Sequence, residues 1–102
     1  MAQTVNDQAP SGASFTDDEI KEICRSAVYK FGDRSQLLKL AEECCELAQA
    51  AIKAANGLPA NLVEEAADVK IMLIQLMSML DSELIENWLQ FKIGRLKTLV
   101  EG

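Results

Sequence analysis

The sequence predicts an all-α fold, a small bundle of about four helices completed by homo-oligomerisation. Three observations carry this. Four stretches repeat apolar residues at i, i+3, i+4 and i+7, and none shows the period-two alternation of a half-buried strand. Ser, Thr, Asp or Asn stands ahead of each stretch, as helix starts require. The third stretch is apolar nearly all round, in a chain of 102 residues that is too short to enclose every such face by itself. At least a dimer is therefore expected.

Residues 1–14 are small and polar, with Pro10 and Gly12. Ordering them would bury too little to offset the entropy lost, so the reading is a disordered tail over 1–14 and a helical domain over 15–102. Thr16 with Glu19 has the form of a capping box, and Ile20, Ile23, Cys24, Ala27, Val28 and Phe31 then keep helical spacing. Gly32 is suited to end that helix in the left-handed conformation.

Asp33 or Ser35 can cap the second helix, whose expected apolar sector is Leu37, Leu38, Leu40, Ala41, Cys44, Leu47, Ala48, Ala51 and Ile52. Asn56, Gly57 and Pro59 stop it. Another stripe of the same helix holds Gln36, Lys39, Glu43 and Glu46, which alone reads most simply as a solvated face. Asn61 can cap the third helix, a core helix by its composition from Leu62 to Leu80. Asp81 or Ser82 opens a fourth, carrying Leu84, Ile85, Trp88, Leu89, Ile93, Leu96, Leu99 and Val100. Trp88, the one tryptophan, is expected to pack in the core rather than to stack on a base.

The formal charge of −6 and the absence of histidine set several functions aside. Polymeric nucleic acid needs clustered Lys and Arg, and Ser-His-Asp chemistry and His-containing zinc sites need an imidazole. The three cysteines, with Cys44 and Cys45 adjacent on one helix, read as small reduced core residues. No apolar run resembles a signal peptide or approaches the ~20 residues of a membrane span, so a cytoplasmic protein is expected.

Carboxylates remain, and they fall in two clusters: EECCE at Glu42 to Glu46 and EEAAD at Glu64 to Asp68. A step of three residues sets two carboxylates on one helix face with Cβ atoms about 5–6 Å apart. Two such helices side by side would gather Glu43, Glu46, Glu65 and Asp68 into an oxygen-rich pocket suited to Mg²⁺ or Mn²⁺. On the third helix Glu65 and Asp68 sit among apolar neighbours. A buried carboxylate there must be protonated, paired or bound to a cation.

The pattern LLKLAEECCELAQA, a short Asn-Gly-Pro loop, NLVEEAADVKIMLIQL and then FKIGRL is similar to the MazG-like nucleoside triphosphate pyrophosphohydrolases, over roughly Val28 to Leu96. That resemblance implies an all-α bundle completed as a homodimer or homotetramer, and Mg²⁺-dependent cleavage of a nucleoside triphosphate to monophosphate and pyrophosphate. It implies Glu43, Glu46, Glu65 and Asp68 as metal ligands, and Lys39, Lys92 and Arg95 near the substrate's phosphates. Glu46 or Glu42 would serve as the base that orients water. The competing readings are a non-catalytic helical oligomerisation module and a nucleotide-sensing relative without turnover.

Overall fold

The computed structural model describes residues 8–10, 12 and 14–102. The tail expected over 1–14 lies largely outside the described residues. Four helices follow in order: α1 (Asp17–Phe31), α2 (Asp33–Ala55), α3 (Leu62–Met79) and α4 (Ser82–Glu101), with no strand among the described residues.

α1 begins with the anticipated capping box. The Thr16 hydroxyl accepts the Glu19 N–H at 3.1 Å, and Glu19 Oε1 accepts the Thr16 N–H at 3.0 Å, an arrangement whose loss typically costs about 1 kcal/mol. Gly32 ends α1 but not in the left-handed helical region. Its φ of 88° comes with a ψ of 152°, because the same residue both closes α1 and opens α2. That one-residue corner also corrects the expected Asp33 or Ser35 cap. Asp33 is already helical, and no side chain caps α2.

α2 ends as Asn56 and Gly57 suggest. Gly57, at φ 73°, donates to Ala54 O at 3.1 Å, and Leu58 donates to Lys53 O at 2.9 Å. This is the paired bonding of a Schellman motif. Asn61 stands at the α3 N-cap position, yet its side chain makes no capping bond. Asp81 does cap α4, accepting from Glu83 N at 2.9 Å and Leu84 N at 3.4 Å.

α2 and α3 form an antiparallel hairpin across residues 56–61, and α1 lies against both, chiefly against α3. The α2 seam is Gln36, Leu40, Glu43, Leu47, Ala50 and Ala54, buried or half-buried at alternating steps of four and three. α3 answers with Leu62, Glu65, Val69, Met72, Leu76 and Met79, the spacing of knobs-into-holes packing. Near the loop the seam narrows to Ala50, Ala54 and Ala60, with Leu62 against them. α1 joins through Cys24, 4% exposed, whose thiol donates to Ile71 O at 3.8 Å and is pushed up in pKa by burial.

This packing corrects several expectations. The face of α2 that packs runs along Gln36, Leu40, Glu43 and Leu47, so it includes Leu40 and Leu47 of the expected apolar sector, while Leu38 and Ile52 stay 57% and 63% exposed. Cys44 and Cys45 are likewise exposed, not core. On α3 Val69, Met72 and Gln75 are buried and Leu62, Ile74, Leu76 and Met79 half-buried, while Val63, Ile71, Leu73 and Met77 are open in the protomer. α4 departs furthest. None of its residues is buried, and it makes no substantial packing against α1, α2 or α3. Trp88 is accordingly 61% exposed, with Phe91 in a T-shaped arrangement beside it, 5.9 Å between ring centroids.

Candidate metal centre

The α2–α3 seam carries two polar layers. In the first, Gln36 Nε2 donates to Gln75 Oε1 at 2.6 Å, and both amides are buried. In the second, toward the loop, Glu43 faces Glu65. The two layers pair residues 36 with 75 and 43 with 65, a register that an antiparallel hairpin enforces.

Glu43, Glu46 and Glu65 each bring one carboxylate oxygen within 4.8 Å of the others. Glu43 is 8% exposed, Glu65 is half-buried and Glu46 is exposed. One oxygen on each of Glu43 and Glu65, Oε2 in both cases, is buried without any hydrogen-bond donor. Such an atom loses its hydration and gains nothing in return, a cost that a cation removes. The helical spacing explains the convergence. Glu43 is a seam residue, Glu46 follows one turn later at the seam's edge, and Glu65 projects from the facing helix.

Charge crowding shows in Glu46. The Glu43 charge foremost, then desolvation, a hydrogen bond with Glu43 and the charges of Glu65 and Glu42 push its carboxyl above the usual range. Lys39 supplies the one nearby counter-charge found in ion pairs of the described residues. Its Nζ lies 3.2 Å from Glu43 Oε1 and 3.6 Å from Glu42 Oε1. Its own pKa is raised, first by the hydrogen bond to Glu43, then by the charges of Glu42 and Glu43.

No known protein family, curated protein or solved structure matches the chain. The likeness to MazG-like enzymes therefore rests on the sequence motifs.

Of the residues singled out from sequence, Glu43, Glu46 and Glu65 come together, with Lys39 and Glu42 beside them. Asp68 is half-buried one turn along α3 and lies outside the trio. Lys92 and Arg95 are not brought to the carboxylates. They line a recess on α4 with Leu96 and Leu99, and Lys92 sits 5.7 Å from the centroid of the Trp88 ring. Sequence reasoning passed over Gln49, Lys53 and Asn61, which join Glu46 and Glu65 around a recess of about 170 Å³ at the hairpin's end. The signal was present for two of them, since Glu46, Gln49 and Lys53 repeat at three and four residues along one face of α2.

Proposed function

We propose that the chain is a nucleoside triphosphate pyrophosphohydrolase that cleaves a (d)NTP to (d)NMP and pyrophosphate, with Mg²⁺ or Mn²⁺ at the carboxylate cluster. The observation that carries this reading is the pair of buried, undonated oxygens on Glu43 and Glu65, with Glu46 within reach of both. The donor set is all hard oxygen, which suits these ions. A bound divalent cation supplies charge neutralisation and Lewis-acid polarisation of the phosphoryl oxygens.

The chain's own residues do the rest. Glu43, Glu46 and Glu65 would hold the cation, and Asp68, half-buried one turn along α3, would be the next carboxylate to it. Glu46, exposed at the edge of the seam, or Glu42 beside it takes the proton of the attacking water. Water oxygen bonds to the α-phosphorus, the bridging bond to the β-phosphate breaks, and pyrophosphate leaves. Lys39 is the cation of the protomer nearest the phosphates.

Lys92 and Arg95 reach the site from another copy in this reading, because α4 does not pack beside the carboxylates of its own chain. A homodimer or homotetramer is supported by exposed apolar surface as well. On α4 alone Leu84, Trp88, Leu89, Phe91, Ile93 and Leu96 are open in the protomer, an apolar surface of the kind that association covers. In this reading the partner is a nucleoside triphosphate rather than a nucleic-acid polymer or a membrane. Among the described residues, no helix is long and apolar enough to cross a bilayer. Three free cysteines fit a reducing, cytoplasmic compartment.

The deciding experiment is Mg²⁺-dependent release of pyrophosphate from a panel of ribo- and deoxyribonucleoside triphosphates, which also ranks the bases. One observation favours a second reading, a non-catalytic helical oligomerisation or nucleotide-sensing module: the wide apolar surface left open on α4 and on the outer face of α2. Oligomers that bind nucleotide without releasing pyrophosphate would establish it.

A further inference from the structure

Lys39 occupies an unusual place in the cluster. Its ammonium touches Glu43 Oε1 and Glu42 Oε1 while Glu43 Oε2, on the buried side, has no partner. The carboxylate is thus satisfied on one side only, by a group whose own side chain is half-exposed. An ammonium on a flexible four-carbon stem swings into water at small cost. Glu43, 8% exposed and crowded by Glu46 and Glu65, has no such freedom.

We propose that Lys39 is the resident counter-ion of the carboxylate cluster, holding Glu43 Oε1 until a divalent cation displaces it, so that this exchange sets the cation concentration at which the site fills. The inference rests on reading the cluster as a cation site. It gives Lys39 two positions: against Glu43 in the metal-free chain, and released toward the triphosphate when the cation is bound. Filling the site then makes a phosphate-binding cation available in the same event, which couples metal binding to substrate binding.

The test is titration calorimetry of Mn²⁺ alone into the full chain at about 0.15 M ionic strength, where the Debye length is about 8 Å, with melting curves beside it. Lys39→Met is expected to bind Mn²⁺ about three- to fivefold tighter than wild type, the range set by one partly exposed ion pair. The same variant should melt lower without Mn²⁺, having lost the partner of a buried carboxylate. Lys39→Arg keeps the charge and should bind no tighter than wild type. Lys53→Met removes an equal charge from the adjoining recess, where Lys53 makes no ion pair among the described residues. It should change affinity less than about twofold, since a screened charge without contact contributes little.

Equal or weaker Mn²⁺ binding by Lys39→Met overturns the proposal, as does equal tightening by Lys53→Met or by Lys39→Arg. Wild-type protein that binds no Mn²⁺ overturns the cation-site reading itself, a failure distinct from the others.

Discussion

Glu43 and Glu65 face each other across the α2–α3 seam, each with one carboxylate oxygen buried and no donor on it. Within a hairpin that otherwise satisfies its polar groups, this is a local excess of negative charge. It stabilises nothing in the metal-free protein. The stability that α2 and α3 gain from Leu40, Leu47, Val69 and Met72 is what holds the two carboxylates together against their repulsion.

Replacing Glu65 by Gln should therefore separate folding from function. The amide keeps the shape and removes a charge, so metal-free stability is expected to rise by about 1 kcal/mol or more, since two like charges ~4 Å apart cost that much even in bulk water. For a domain of this size that is a melting shift of about 4–8 °C. Mn²⁺ binding and pyrophosphate release should both be lost. Asp68→Asn should likewise abolish turnover while the fold survives, as circular dichroism run beside the assay will report. Full activity in either variant would remove these carboxylates from the site.

The pH dependence follows from Glu46. Its folded pKa is raised, chiefly by the Glu43 charge, so the folded chain holds that proton to higher pH than the unfolded chain does. The associated stability is complete below the unfolded pKa and is lost as pH rises through the folded one. At neutral pH without metal, Glu46→Gln should thus melt higher than wild type, and the difference should shrink as pH falls through the carboxylate range. A difference that grows in acid would reverse the assignment. Saturating Mg²⁺ should reduce the neutral-pH difference by stabilising wild type alone.

The glutamine layer makes a separate prediction. Gln36 and Gln75 share a buried 2.6 Å hydrogen bond, so replacing one of them by Leu leaves the other amide unsatisfied, at a cost of about 1–3 kcal/mol. The double Leu variant should recover most of that loss, because an apolar pair of similar shape needs no partner. Chemical denaturation of the two single variants and the double variant measures the coupling. Additive losses would show that the bond contributes nothing specific to the seam.

These layers also explain which parts of the fold the sequence disclosed. Helix starts at Thr16 and Asp81 were legible because a cap is local chemistry, readable within four residues. The choice of packing face on α2 was not. Two seams with the same three–four spacing run along that helix, one through Leu37, Ala41, Cys44 and Ala48 and the other through Gln36, Leu40, Glu43 and Leu47. Hydrophobicity favours the first, and the protomer buries the second. The packed seam joins Leu40, Leu47, Ala50 and Ala54 to α3 and pairs Gln36 with Gln75 across it, a pairing that no single helix reveals. The carboxylate spacing survived this error because Glu43 and Glu46 keep their relation to each other whichever face packs. Lys92 and Arg95 did not, as their approach to the site depends on where α4 docks.

α4 supplies the last prediction. Trp88 presents most of its ring to solvent, with the edge of Phe91 against it and the Lys92 ammonium 5.7 Å from the ring centroid. An apolar recess of about 270 Å³ opens beside Trp88 and Phe91. Within the protomer, Trp88→Ala has little packing to lose, so the several-kcal/mol penalty of a core tryptophan is not expected. Its effect should fall on association instead. Wild type should sediment as a dimer or larger at micromolar concentration, and Trp88→Ala should weaken that association by about 30-fold or more, the loss of an interface tryptophan worth roughly 2 kcal/mol. Far-UV circular dichroism should stay unchanged. A wild-type monomer near 11.2 kDa would remove the association surface, and with it the route by which Lys92 and Arg95 reach a second copy's carboxylates. A variant that associates normally but binds nucleotide more weakly would instead assign the Trp88 ring to the substrate's base.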